Sequence, residues 1–243
     1  TEFSKTFVGV ADPVYNLADP RYKGPAGEFW VAGLFPLPAP LLPSRHLELP
    51  RLPAGAEEVQ ACRTVWSGDG ARTIVLSGER ASPAELNGAV AGGAEVLHFA
   101  THFIAPEGED GGARIVLSMD GAGRPELVGA AEIAKTQANV GLVVLSGCAS
   151  GGAAVLPAEG LMGLSRAWML AGARTVLATL WPVPDDHGGL LISFYKHLAG
   201  ARPNFDGRAA AEALRLAREE ARVAGGCGSS PAGWGAYFLA GKE

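Results

Sequence analysis

Cysteine is scarce. The three residues Cys62, Cys148 and Cys227 cannot close into a full disulfide set, which favours free thiols and a reducing, cytoplasmic setting. Basic blocks are missing too: 20 Lys and Arg against 25 Asp and Glu give a formal charge of −5. An extended phosphate-binding face is thereby excluded, and with it direct binding of nucleic acid. No apolar run is long enough to suggest a membrane span. The longest uncharged window, Thr136 to Ala158, is broken by Ser146, Gly147, Ser150, Gly151, Gly152 and Pro157, which suit a strand followed by a loop. No secretory signal opens the chain. Thr1-Glu2-Phe3-Ser4-Lys5 has neither Met nor an apolar core, the mark of a piece taken from a longer protein. No repeat of domain-array length is present.

What is abundant points to a packed, turn-rich globule. Hydrophobic residues are 48% and charged residues 19% of the chain, which excludes disorder. Glycine, at 34 of 243, is about twice its usual share. The Ala/Gly/Pro/Arg-rich usage is in keeping with a GC-rich bacterial genome. From Phe35 to Pro53, prolines 36, 38, 40, 43, 50 and 53 forbid helix and central strand, so this stretch is expected to be a surface excursion within a single domain, 1–243.

Around it the pattern alternates. Strands are expected at Thr6–Val10, Thr73–Leu76, Glu95–Thr101, Arg114–Ser118, Gly141–Leu145, Arg174–Leu180 and Trp234–Leu239. Helices are expected at Ala56–Trp66, from the Ser82-Pro83 cap to Ala91, at Val128–Lys135, from Pro157 to Gly172, at Asp186–Ala199 and from Asp206 to Val223. Alternation throughout predicts mostly parallel pairing with helices on both faces, a three-layer α/β/α sandwich.

In such a sheet, ligands gather beyond the carboxyl ends of the strands. Two apolar strands end there on reactive side chains: Leu97-His-Phe-Ala-Thr-His102, and Leu142-Val-Val-Leu-Ser-Gly-Cys148-Ala-Ser-Gly151. A thiol becomes a nucleophile beside a base, and a histidine can serve as that base near neutral pH. Glycines 147, 151 and 152 let backbone N–H groups come close to a substrate carbonyl. Cys148 and His102 are therefore the candidate nucleophile and base for acyl transfer. His98, inside its strand, reads as a satisfied core or supporting histidine. Cys62 and Cys227 read as small buried hydrophobes. His46, His187 and His197 read as solvated.

Four motifs occur in order: Leu-His-Phe-Ala-Thr-His at 97–102, Val-Leu-Ser-Gly-Cys-Ala-Ser-Gly at 144–151, Glu159-Gly160-Leu161, and Ala-Gly-Ala-Arg-Thr-Val-Leu-Ala-Thr-Leu-Trp-Pro-Val at 171–183. With Ala56-Glu-Glu-Val-Gln60 and Trp234, they resemble the CHAT family of caspase-like cysteine peptidases, domains frequently joined to tetratricopeptide repeats. The resemblance runs from about Val8 to Leu239. It implies a caspase/separase-type fold and an endopeptidase acting through a His102–Cys148 dyad and an acyl-enzyme. No metal or organic cofactor is implied. The partners implied are protein substrates and regulatory domains, tetratricopeptide-type among them.

The resemblance also places the oxyanion donors at the backbone N–H groups of Cys148 and Phe103. The family usually has Gly where Phe103 stands. Trp181, Asp185, Asp186 and Glu159 are implied as possible substrate-pocket residues. An Asp at 185 or 186 could instead cap the next helix, and Glu159 could be a first-turn helix charge. Two other readings remain open at this level. One is a non-catalytic caspase-like interaction module. The other is a Cys-nucleophile α/β-hydrolase, with Ser146-x-Cys148-x-Ser150 as its elbow and Asp185 or Asp186 with His187 or His197 completing it.

Overall fold

The computed structural model describes residues 5–24, 49–105, 112–147, 158–181, 183, 189–201, 205–224 and 230–241. In chain order the elements are β1 (Thr6–Pro13), α1 (Pro53–Trp66), β2 (Arg72–Gly78), α2 (Pro83–Val90), β3 (Ala94–Ala100), β4 (Phe103–Ile104), β5 (Arg114–Met119) and β6 (Pro125–Gly129). There follow α3 (Ala130–Lys135), β7 (Val140–Ser146), α4 (Ala158–Ala171), β8 (Thr175–Thr179), α5 (Gly189–Ala199), α6 (Gly207–Ala224), α7 (Pro231–Trp234) and β9 (Tyr237–Gly241).

Six strands form the main sheet in the order β2-β1-β3-β7-β8-β9. Strand alternation divides its side chains cleanly between two helical layers. Val8, Val10, Leu97, Phe99, Val143 and Leu145 pack with Leu86 of α2, Ile133 of α3, and Leu164 and Trp168 of α4. Phe7, Val96, Leu142, Val144 and Leu177 face Val59 and Trp66 of α1, Phe194 and Tyr195 of α5, and Leu214 of α6. The two-sided burial explains why β7 reads as one continuous apolar run. Each of its core side chains contributes up to about 1.5–3 kcal/mol. The three-layer α/β/α arrangement expected from the alternation is the one observed.

Several local signals act as expected. Ser82 caps α2, its Oγ accepting the Glu85 N–H at 3.3 Å. Pro53 occupies the first turn of α1. Other details add to the sequence reading or differ from it. The sheet is parallel from β2 to β8, but β9 runs antiparallel to β8. The cause is that α5 descends along the sheet and α6 climbs back to the same rim, so the following strand must run down. At that rim the α6 residue Arg218 donates to the carbonyls of Trp234 and Tyr237. Trp234 belongs to α7, which opens at Pro231, and not to the last strand. Val128 belongs to β6, and the helix begins at Ala130, where Glu132 reaches back to accept the Gly129 N–H at 2.9 Å.

Of the proline-rich excursion, only Leu49–Pro53 falls among the described residues. There Leu49 and Leu52 pack with Tyr15, Ile104 and Val116 into a small cluster on the rim of the main sheet. The β4-β5-β6 sheet is antiparallel and tied to the same rim, with Val116 N–H donating to the His102 carbonyl at 2.9 Å. Among the described residues, no helix is long and apolar enough to cross a membrane.

Candidate active site

The chain crosses from β1 to β2 on one side of β1, then returns to β3 on the other side. This topological switch opens a crevice at the carboxyl ends of β1 and β3. Beside β3 runs β7, in parallel register, with Ala100 opposite Ser146. His102 lies two residues beyond Ala100, and in sequence Cys148 stands two residues beyond Ser146. Gly147 is described, whereas Cys148 itself lies outside the described residues. So do Asp185 and Asp186. Glu159 lies in the first turn of α4, with its side chain outside the described set.

The imidazole of His102 is held from two sides. Its Nε2–H donates to the Pro50 carbonyl at 2.8 Å. A carbonyl only accepts, so Nε2 carries the hydrogen and Nδ1 is the basic nitrogen. Burial pushes the His102 pKa below the ordinary histidine value, and the Pro50 hydrogen bond offsets this only in part. The ring is therefore neutral at pH 7. Against it stands the Tyr15 ring in a T-shaped contact, with ring centroids 4.7 Å apart at 64°. Burial raises the Tyr15 phenol far above its usual range, so it stays protonated. Thr101 Oγ donates to the Val116 carbonyl at 2.6 Å, which makes the Tyr15 O–H the donor to Thr101 at 2.8 Å.

The base of the crevice is equally ordered. Gly55, in the first turn of α1, lies so close to β3 that a Cβ there would stand 3.1 Å from the Ala100 carbonyl oxygen. One turn further, Glu58 accepts from His98 Nε2 at 2.9 Å. Tyr195 Oη lies 3.2 Å from His98 Nδ1, and burial keeps that phenol protonated, so its O–H donates. His98 has no exposed surface. It is the satisfied core histidine that its mid-strand position predicts, with partners on α1 and α5. Cys62 is also buried, and desolvation together with the Glu58 charge pushes its thiol pKa up, so it is no nucleophile in the native fold.

Around the rim, Phe103 is buried in β4 with its ring over Gly147. Trp181, just past β8, is 40% exposed, and its Nε1–H donates to the Ala232 carbonyl at 2.7 Å. His197 is part-buried rather than simply solvated: it pairs with Glu220 at 2.8 Å near the end of α5. Since α5 descends from the rim, that pair sits toward the opposite end of the parallel strands from His102. His46, His187 and Cys227 lie outside the described residues.

Pro50 and Tyr15 carry no sequence signal for this role. One acts through a backbone carbonyl, the other through the packing of an aromatic ring, and both are distant from His102 along the chain. Glu58 did have a signal, since it belongs to the Ala56-Glu-Glu-Val-Gln60 motif.

A mostly parallel six-stranded sheet between two helical layers, with its crevice at the ends of β1, β3 and β7, defines a caspase-like α/β/α fold. It is similar to the Arg-specific cysteine proteinase gingipain R, with a TM-score of 0.54 at 11% sequence identity, covering 99% of this chain and 46% of that one. A match to the Saccharomyces cerevisiae separase–securin complex has a TM-score of 0.44 at 16% identity, covering 75% of this chain and 11% of that one. The CHAT domain family matches residues 8–242, and the chain belongs to that family. Human tetratricopeptide repeat protein 28 is 33% identical over 119 residues, which is 48% of this chain and 4% of that protein. Its mouse counterpart is 32% identical over 122 residues, 49% of this chain and 5% of that protein. The match thus spans a small fraction of these relatives' length.

Proposed function

We propose that this CHAT domain is a cysteine endopeptidase in which Cys148 is the nucleophile and His102 its base. The observation that carries this reading is the register of β3 and β7: with Ala100 opposite Ser146, the segments leading to His102 and Cys148 leave the sheet side by side. Adjacent strands are about 4.8 Å apart, within side-chain reach.

In this reading the Pro50 carbonyl fixes His102 with Nε2–H bonded to it and Nδ1 left to take the thiol proton. The thiolate sulfur attacks the scissile carbonyl carbon, and the C=O π electrons move onto oxygen. That oxyanion is held by the N–H groups of Cys148 and Phe103. Collapse breaks the C–N bond, and His102 returns the proton to the departing amine. A water molecule, losing a proton to His102, then attacks the thioester. The products are the free carboxylic acid and the restored thiol. Trp181 supplies one wall for the substrate, joined by Asp185, Asp186 and Glu159. The substrate is a protein. The tetratricopeptide repeats named in the relatives support a helical-repeat regulatory partner, covalently joined or separate.

One observation favours a second reading, a non-catalytic module that keeps the fold as a switch: His102 is only 2% exposed. The pH dependence of Cys148 alkylation by iodoacetamide separates the two without needing a substrate. A dyad predicts an inflection below the ordinary thiol value of about 8.5, lost in His102→Ala. An ordinary inflection, identical in both proteins, would overturn the peptidase reading. A cleavage-site profile of a whole proteome, with Cys148→Ala as the control, then reads the side-chain preference.

A further inference from the structure

The end of β1 carries an unusual feature. Asp12 has φ +42°, and it is the one non-glycine residue with positive φ among the described residues. It is the extra residue in a bulge, since Ala11 pairs with Ser77 and Pro13 with Gly78. A left-handed backbone is costly for a side-chain-bearing residue and persists where its surroundings hold it. Here they do. The buried Asp12 carboxylate takes Arg51 Nη2 at 2.6 Å and Arg21 Nη1 at 2.8 Å on Oδ2. On Oδ1 it takes the Leu52 N–H at 3.2 Å.

These contacts surround Pro50. Arg51 and Leu52, the two residues after it, are gripped by one carboxylate. The residue before it, Leu49, has its carbonyl bonded by Asn16 Nδ2 at 3.0 Å. Pro50 has no N–H of its own, and its carbonyl is the one that receives His102 Nε2–H. The placement of that carbonyl therefore follows from how the flanking residues are fixed to β1.

Resting on the peptidase reading, we propose that Asp12 is a positioning residue for His102. Its left-handed bulge aims the carboxylate across the switch crevice, where it locks residues 51–52 and so sets the Pro50 carbonyl on Nε2. Asp19 is the contrasting member of the same cluster. It is also buried, but it binds chiefly Arg21, with Oδ2 2.6 Å from Nη2, and reaches Arg51 Nε only at 4.0 Å.

The test reads the His102 ring directly by NMR on histidine-labelled protein, following exchange of the Nε2 proton with water. Asp12→Asn preserves shape and tolerates positive φ, but it cannot hold two guanidinium groups as an anion does. We expect exchange to accelerate about tenfold, the effect of losing roughly one net hydrogen bond. The buried His98 ring signals, unchanged, report that the fold is intact. In Asp19→Asn the His102 proton should exchange as in the wild type. Unchanged exchange in Asp12→Asn, or equal acceleration in both variants, overturns the proposal. If Asp12→Asn loses the His98 signals, Arg51→Gln decides instead, because Arg51 is partly solvated and its loss leaves the Leu52 bond in place. Faster exchange there supports the proposal and none overturns it. Failure of the underlying reading looks different. Acceleration in Asp12→Asn, combined with Cys148 alkylation that ignores His102→Ala, keeps Asp12 as the residue that places His102 and removes the peptidase.

Discussion

The Phe103 ring occupies the space that a side chain on Gly147 would need, and a Cβ built on Gly147 would collide with two of its ring atoms. Directly after His102 the chain places a buried aromatic side chain, and the glycine it packs over lies just before Cys148 in sequence. The two positions are therefore coupled, and Phe103 is part of the wall between β4 and the end of β7.

Gly147→Ala should force the Phe103 ring out of place. Overpacking of this kind costs about 1–3 kcal/mol, so the urea midpoint should fall accordingly. Phe103→Leu, with a smaller and more flexible side chain, should relieve the clash, and the double variant should be more stable than the sum of the two single effects predicts. Strict additivity in the double-mutant cycle would mean that the two residues do not share this space. If Cys148 alkylation is His102-dependent, it should slow in Gly147→Ala and recover in the double variant.

Burial of His102 gives a second prediction, for stability against pH. Its folded pKa is lowered, while the unfolded chain keeps an ordinary value of about 6.5. Between those two values the unfolded state holds a proton that the folded state refuses, so lowering the pH favours unfolding. The contribution of His102 to stability is present above about pH 6.5 and is lost as pH falls toward the folded value, where it levels off. The difference in unfolding free energy between the wild type and His102→Gln should therefore shrink on acidification through that window. A pH-independent difference would show that His102 titrates normally. The same direction applies to chemistry, because a neutral imidazole persists to lower pH than an unperturbed one.

The layered architecture is legible in the sequence because its signals are local. Val140–Ser146 is apolar on both faces, Ser82-Pro83 and Pro53 open helices, and periods of two and 3.6 separate strands from helices. The direction of β9 is not legible in this way, since it depends on α6 returning the chain to the rim. Nor is β4, whose two residues are too few to show a period. Within the candidate site, His102 and Cys148 stand out as reactive side chains at strand ends. The groups around His102 do not. Pro50 acts through a carbonyl, Tyr15 through the packing of its ring, and Asp12 through a bulge that no residue type announces. A neighbour that contributes backbone or shape leaves no letter in the sequence by which to find it.

The Glu58–His98–Tyr195 chain offers a third prediction. All three are buried, and His98 depends on two side chains from different helices for its polar satisfaction. Glu58→Ala removes the acceptor and leaves an N–H unpaired, at a cost of about 1–3 kcal/mol. Glu58→Gln keeps a carbonyl acceptor in nearly the same place and should lose less than half as much. Chemical denaturation measures both. Equal losses would mean that the charge, not the hydrogen bond, matters here, and no loss in either would mean that water replaces Glu58.

Tyr15 contributes to the crevice in two separable ways, through its ring against His102 and its hydroxyl to Thr101. Tyr15→Phe keeps the ring and deletes the donor, and Thr101 still has the Val116 carbonyl, so stability should fall by about 1 kcal/mol. The His102 ring signals should hardly move. Tyr15→Leu removes the aromatic ring as well, and leaves a gap in the cluster of Leu49, Leu52, Ile104 and Val116. It should cost more than Tyr15→Phe, and it should shift the His102 resonances and slow any His102-dependent alkylation of Cys148. The comparison isolates the ring contact, because the hydroxyl is lost in both. Were Tyr15→Phe to disturb His102 as strongly as Tyr15→Leu, the imidazole would be placed by the hydrogen-bond chain through Thr101, and the aromatic ring would be filler.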